Sequence, residues 1–106
     1  MPPIAKTPDP PYYAVIFTSL RTDGDNGYAA MAERMERLAA GSPGFLGMES
    51  ARGEAGLTIC YWTDLDAIRS WKRQVEHLEA QRLGRESWYS AYRVRIARVE
   101  RDYGMD

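Results

Sequence analysis

The sequence predicts an α+β domain of the ferredoxin-like type, in which a four-stranded antiparallel sheet carries two helices on one face. Four segments are rich in β-branched and aromatic residues or alternate apolar with polar ones, as strands do. Two other segments repeat apolar residues at helical spacing, and the order is strand, helix, strand, strand, helix, strand. A chain of 106 residues is long enough for one such domain with a modest core.

The N-terminal half predicts a tail, a strand and a helix. Residues 1–11 are rich in proline and are expected to form an extended, poorly ordered tail, which leaves residues 12–106 for the single folded domain. Residues 12–20 form the first strand, and a polar loop follows it. Asp25 or Asn26 can cap the next helix. The apolar residues of that helix are Tyr28, Met31, Met35 and Leu38.

The C-terminal half predicts a hairpin, a second helix and a last strand. Residues 45–52 and 57–63 form the hairpin, with a four-residue connection between them. Asp64 caps the second helix, which is expected to end or kink at Gly84. The apolar stripe of this helix is Ile68, Trp71, Val75 and Leu78. A short helical turn at 85–91 and a strand at 92–99 complete the domain.

The first and third strands are apolar on both faces. The first strand carries Tyr13, Val15 and Phe17 on one face and Tyr12, Ala14 and Ile16 on the other, while on the third strand Leu57, Ile59 and Tyr61 oppose Cys60 and Trp62. Two helices cover only one face, and about four large apolar side chains left in water would forfeit roughly 1.5 to 3 kcal/mol each. We therefore expect a homodimer in which the uncovered sheet faces of two copies pack together.

Charge and cysteine content exclude several classes of partner and site. The formal net charge is −1 and the basic residues are interspersed with acidic ones, so neither nucleic acid nor a membrane is an expected partner. Cys60 is the only cysteine, which excludes an intramolecular disulfide and fits a reducing, cytoplasmic location. With one histidine and no paired cysteines, no metal site is expected. The N-terminal residues lack the apolar segment of a signal peptide or membrane span.

Several short segments together resemble the antibiotic biosynthesis monooxygenase (ABM) domain family. The matching segments are Pro43-Gly44-Phe45-Leu46-Gly47-Met48-Glu49-Ser50, Tyr61-Trp62, Trp71, His77-Leu78-Glu79-Ala80-Gln81 and residues 92–101. The resemblance covers about residues 12–103. It implies a dimeric α+β barrel with a pocket in each subunit between helices and sheet. Members of known activity include cofactor-independent oxygenases of polyketide-type phenols and haem-degrading oxygenases.

The haem-degrading branch of the family is disfavoured by its own residue pattern. Its members carry an asparagine on the first strand, a tryptophan on the second helix, and an iron-binding histidine ten residues after that tryptophan. Trp71 matches the tryptophan, but Gln81 stands at the histidine position and residues 12–20 contain no asparagine. Because an amide is a poor substitute for an imidazole ligand, we expect no haem and no other cofactor.

A cofactor-free oxygenase needs a base, aromatic walls and donors that hold an anion. His77, the only histidine, is the candidate base or proton shuttle, and Trp71 is placed with it in the catalytic site. The candidate substrate-binding residues are Trp62, Tyr61, Gln81, Tyr89 and Arg95. The expected substrate is a small aromatic or quinol-like molecule.

Structural explanations compete with these roles. His77 lies at the margin of the apolar face, where a histidine bonded to a carbonyl or carboxylate is equally expected. Trp71 can be a core residue, and Trp62 and Tyr61 point to opposite faces of one strand, so at most one of them lines a given pocket. The alternative function is a non-catalytic dimeric module that binds a small molecule or acts in a stress response.

Overall fold

The domain is built on a four-stranded antiparallel sheet with both helices on one face. The computed structural model describes residues 3–25, 27–77 and 88–105, and the described side chains of the second helix end at Val75. The elements are β1 (Tyr12–Arg21), α1 (Tyr28–Ala40), β2 (Phe45–Arg52), β3 (Gly56–Trp62), α2 (Leu65–His77) and β4 (Tyr89–Val99). The strand order is β2-β3-β1-β4 and each neighbouring pair is antiparallel. The predicted ferredoxin-like arrangement is confirmed.

The last strand begins earlier than the sequence predicts. The prediction of a helical turn at 85–91 is wrong for residues 89–91, which belong to β4. A bulge between Leu20 and Arg21 shifts the register of β1 so that Arg21 pairs with Tyr89. This pairing supplies backbone hydrogen-bond partners that a local sequence pattern does not reveal.

An aspartate side chain caps α2, as the sequence predicts, whereas the N-cap of α1 is Gly27 and Asp25 bonds to the backbone from two residues before it. The backbone N–H of Ala67 donates to Asp64 Oδ1 at 2.7 Å at the start of α2. Asp25 accepts from the N–H groups of Gly27 at 3.0 Å and Ala29 at 3.2 Å at the start of α1. The predicted stop of α2 at Gly84 lies outside the described residues.

The turn from α1 into β2 brings the backbone against the beginning of α2. Gly44 in this turn has a φ of 86°, which L side chains rarely adopt. A Cβ atom at this position would lie 2.6 Å from the Cβ of Ala67 and 2.6 Å from Oγ1 of Thr63. The close approach therefore requires glycine, and it fixes α2 over the end of the hairpin.

The core lies between the helices and the sheet face that they cover, which we call the inner face. Its fully buried members are Val15, Ala39, Cys60, Trp62 and Ile68. Strand register places Met48, Cys60, Val15 and Ile96 side by side across the four strands of this face. The alternation predicted for β1 and β3 is thus the alternation that the structure has.

The N-terminal tail lies against the opposite, outer face of the sheet. The Ala5 N–H donates to Glu49 Oε2 at 3.0 Å, and the Thr7 hydroxyl donates to the Tyr12 hydroxyl at 3.0 Å. Tyr12 and Ala14 are each only 4% exposed. Residues 3–11 contain no helix or strand, and they lie on the sheet because Glu49 provides an acceptor for the backbone of Ala5.

Part of the outer face stays exposed. Leu57 and Leu20, which lie beyond the tail, are 40% and 45% exposed. These side chains are the surface on which the sequence predicts a second copy to pack. Neither described helix, at 13 residues each, has the length and apolar content that crossing a bilayer requires.

Candidate functional site

A cavity of about 570 Å³ lies between the inner face of the sheet and the two helices. This volume is within the roughly 300–1,000 Å³ of small-molecule sites. Strands β1, β3 and β4 supply its floor through residues such as Val15, Cys60 and Ile96, while Met35 of α1 and Trp71 of α2 supply walls. The lining is mainly apolar, so the cavity suits a hydrophobic ligand with a few polar groups.

One face of α2 forms one wall of the cavity. Ile68, Trp71, Lys72 and Val75 all line it, which is the i, i+3, i+4, i+7 spacing of one helix face. The indole Nε1 of Trp71 is buried and has no hydrogen-bond partner among the described residues. An unpaired buried donor costs stability, and this N–H is not exposed to the open space of the cavity.

Trp62 lies behind this wall rather than in it. Its side chain is fully buried, and its ring packs against that of Trp71 with centroids 5.2 Å apart. Phe45 packs on Trp62 from β2, at 5.5 Å and an interplanar angle of 78°. Trp62 therefore supports Trp71 from the core.

Two predicted substrate-binding residues are on the outer face of the sheet, away from the cavity. Tyr61 donates a hydrogen bond of 2.6 Å to Glu49 Oε1 and makes an edge contact with Tyr12. Burial, followed by the bond to Glu49, raises the pKa of Tyr61. Arg95 pairs across the sheet with Ile16 and is exposed. The structure does not bring either residue to Trp71.

The predicted base lies at the end of the described part of α2. His77 is the last residue of the helix, two positions after the cavity-lining Val75, and its side chain is outside the description. Gln81 lies outside the described residues altogether. The roles of both residues remain predictions.

The cavity has a second end that is almost entirely aromatic, which we call the aromatic end. It consists of Phe17, Tyr28, Trp88, Tyr89 and Tyr92. Neighbouring rings are 5.3 to 5.9 Å apart between centroids. Tyr89, a predicted substrate-binding residue, is at its centre and contacts three of the other rings. Such clusters offer both faces and edges to a flat ligand.

Two guanidinium groups adjoin the aromatic end. The Arg21 Cζ lies 3.5 Å from the ring centroid of Tyr28, and its Nε donates to the carbonyl of Trp88 at 3.1 Å. Arg52 lines the cavity from the end of β2. Burial raises the pKa of Tyr89 most, and its hydrogen bond with Tyr28 raises it further, while the charges of Arg21 and Arg52 act in the opposite direction.

The one cysteine is not a nucleophile in this environment. Cys60 lines the cavity, and burial, assisted by the charge of Glu36, raises the pKa of its thiol to about 12. The thiol is therefore protonated at neutral pH. Within the described residues, no group of three histidine, cysteine or carboxylate side chains could hold a metal ion.

Sequence reasoning missed most of the aromatic end. Tyr28 was interpreted as a packing residue of α1, and Phe17 as part of an apolar strand. Arg52 carried no signal at all, because its approach to Tyr89 depends on the register of strands that are distant along the chain. Tyr89, a candidate substrate-binding residue by its type, is the one member of the aromatic end that the sequence indicates.

Comparison with known proteins places the chain among relatives. It is 52% identical to the uncharacterised protein YqjZ of Bacillus subtilis (strain 168) over 101 residues, which is 92% of this chain and 88% of YqjZ. The chain belongs to the YqjZ family. No protein-family model matches the chain.

Similarity to solved structures shows the fold of this chain. SnoaB, a cofactor-independent oxygenase from Streptomyces nogalater crystallised as a variant, matches 86% of this chain and 95% of its own with a TM-score of 0.73 and 17% identity. A Bordetella bronchiseptica protein assigned as an antibiotic biosynthesis monooxygenase matches 83% of this chain and 96% of its own, with a TM-score of 0.64 and 15% sequence identity. The resemblance to ABM domains is confirmed, and the fold is that of an ABM domain.

Proposed function

We propose that the protein is a cofactor-independent monooxygenase of a small aromatic or quinol-like molecule, and that it works as a homodimer. The observation that carries this proposal is the 570 Å³ cavity, with the Trp71 ring in one wall and Tyr89 in an aromatic cluster. SnoaB, which has the same fold, is described as a cofactor-independent oxygenase.

The proposed reaction converts a ring methylene into a carbonyl. A base removes one proton from the methylene, and the resulting anion spreads onto a phenolic oxygen. The anion reduces dioxygen, a carbon–oxygen bond forms, and the peroxide loses water when its oxygen–oxygen bond breaks. Methylene and dioxygen thus give carbonyl and water, with no other reductant and no metal.

The residues of this chain take three roles in the proposal. His77 accepts the proton, and the Tyr89 hydroxyl donates to the oxygen on which negative charge develops. The rings of Trp71 and Tyr89 hold the substrate flat in the cavity. Gln81 is assigned to substrate binding, as its amide can donate to or accept from a polar group of the substrate. Tyr61 and Arg95, on the outer face, are assigned instead to the dimer surface.

No step is assigned to haem. The one thiol of the described cavity lining, Cys60, is held protonated by burial and is a poor iron ligand in that form. Gln81 stands where haem-degrading relatives carry their histidine. These residues do not match the ligand set that haem iron requires.

Oxygen uptake tests the function. The purified protein is incubated with a panel of anthrones and hydroquinones while dioxygen and the absorbance of the product are recorded. His77→Ala is expected to abolish turnover while the dimer remains folded, whereas the exposed Arg73→Ala on the same helix serves as the matched control and keeps it. Unchanged turnover in His77→Ala would remove His77 from the mechanism.

The same experiment separates the two classes of function. Retention of a ligand without oxygen uptake would favour the non-catalytic binding module over the oxygenase. Added haem supplies a third arm, because a Soret shift followed by bleaching with a reductant would restore the haem-degrading branch.

A further inference from the structure

We propose that the aromatic end of the cavity is an anion subsite, so that the substrate is an aromatic ring bearing a carboxylate whose oxygens lie between Arg52 and the hydroxyls of Tyr28 and Tyr89. The proposal rests on the proposed function in one respect, that the cavity is where the substrate binds. It goes further by naming the charge of the substrate and the residues that select it.

The rings at this end favour a flat partner. The ring centroid of Phe17 is 5.3 Å from that of Tyr89 and 5.6 Å from that of Tyr92. These three side chains line the same part of the cavity. Phe17 and Tyr92 lie on neighbouring strands of the inner face, so β1 and β4 hold them rigidly. A planar ring can stack on this surface with little loss of side-chain freedom.

Hydroxyl groups provide neutral donors at the same place. Tyr28 on α1 and Tyr89 on β4 are hydrogen-bonded to each other, and both line the cavity. Hydroxyls that are not fully engaged by the protein are donors for an anionic oxygen.

Positive charge is in excess in the cavity. The described lining contains Arg52 and Lys72 but only one carboxylate, that of Glu36. Arg52 makes no ion pair with a described residue, and its guanidinium lies over Gly56, where an added Cβ would be 2.6 Å from its Cζ. An exposed guanidinium at the cavity without a carboxylate partner among the described residues matches a bidentate carboxylate ligand.

Arg21 adds a second, fixed positive charge next to the aromatic end. Its guanidinium is already committed to the Tyr28 ring, the Trp88 carbonyl and the Gly24 carbonyl, so it is fixed in position. It therefore adds positive potential to the aromatic end without competing for the ligand. Arg52 is left as the cation that can move onto the carboxylate.

Paired probes of equal shape test the subsite. Naphthoate and the neutral naphthamide with the same ring position are titrated into the full-length protein, and quenching of tryptophan fluorescence gives each Kd. We expect naphthoate to bind about tenfold more tightly than naphthamide, the usual gain from a charge-assisted pair. Arg52→Gln should bring the Kd of naphthoate close to that of naphthamide and so remove this preference, while Arg73→Gln should preserve it.

A second variant guards against a folding defect. Tyr89→Phe keeps the ring and removes the hydroxyl, so it should reduce the preference for naphthoate in part while circular dichroism stays that of the wild type. Equal affinity for the two probes in the wild type would overturn the proposal, and so would a preference that survives Arg52→Gln. Failure of both probes to bind would also overturn it.

The outcomes distinguish this proposal from the proposed function. If naphthoate binds with the expected preference but no carboxylated quinol or anthrone drives oxygen uptake, the oxygenase proposal fails and the subsite stands. If neutral quinols are oxidised and naphthoate has no advantage over naphthamide, the oxygenase proposal stands and the subsite fails.

Discussion

The ring of Trp71 rests on the ring of Trp62, with centroids 5.2 Å apart and an interplanar angle of 38°. One tryptophan is fully buried in the core and the other lines the cavity. The contact joins the part of the protein that gives stability to the part proposed to bind substrate. Substitutions at the two positions should therefore have different effects.

Truncating Trp62 is expected to damage stability much more than truncating Trp71. Trp62→Ala should lower the free energy of unfolding by about 3–5 kcal/mol, because it leaves a cavity in the core. Trp71→Ala should cost less, since its ring is partly exposed. Urea denaturation followed by circular dichroism measures both values, and equal losses would contradict the assignment of Trp62 to support and Trp71 to the wall.

Alanine substitutions at three glycines distinguish the stability cost of backbone strain from that of steric overlap. Gly44→Ala combines a φ of 86° with an overlap on Ala67 and Thr63, so we expect it to cost more than the roughly 1–2 kcal/mol of a left-handed residue alone. Gly27→Ala, with a φ of 84° and open space, should cost about that amount. Gly53→Ala, which meets neither obstacle, is the control. Denaturant midpoints in the reverse order would contradict the close packing at Gly44.

Alkaline pH should destabilise the protein through Tyr61. Its pKa is raised in the fold, first by burial and then by the bond to Glu49, so the folded state holds its proton at a pH where the unfolded chain, with a pKa near 10.0, releases it. The associated stability is present below about pH 10 and is lost as the pH rises through the folded pKa. Tyr61→Phe should show a flatter alkaline loss of stability in denaturation curves, and an unchanged slope would count against this origin.

The exposed part of the outer face should hold the dimer together. Leu57 and Leu65 are equally exposed, at 40%, but Leu57 is on the outer sheet face and Leu65 begins α2. Leu57→Glu should shift the protein toward a monomer in sedimentation velocity, because it places a charge in the proposed apolar interface. Leu65→Glu should leave the dimer intact. A wild-type protein that is a folded monomer at micromolar concentration would contradict the proposed assembly.

The parts of this structure that follow local rules were predictable from the sequence. Asp64 caps α2, Ile68 and Trp71 lie on its packed face, and Trp62 and Tyr61 alternate between the two sheet faces, as their spacing indicates. Each of these features depends on residues within a few positions of one another. The spacing of apolar residues and the chemistry of helix caps were therefore sufficient to predict them.

Features that depend on distant pairing were not predictable. The strand at residues 89–91 exists because a bulge in β1 gives it a partner, and the tail lies on the sheet because Glu49 accepts the Ala5 N–H from 44 positions away. The aromatic end has the same origin, since Tyr28 reaches Tyr89 only after α1 packs on the sheet. Residue type marked Tyr89 as a candidate, but only the fold shows what surrounds it.

Dioxygen consumption by the wild type and by Trp71→Ala, measured with an anthrone that the wild type binds, tests the proposed role of the cavity most directly. We predict equal amounts of dioxygen consumed and carbonyl product formed by the wild type, and at least about a tenfold slower reaction in the variant, since it lacks the wall that holds the substrate in position. Binding of the anthrone without any uptake of dioxygen, or turnover that Trp71→Ala leaves unchanged, would contradict the account.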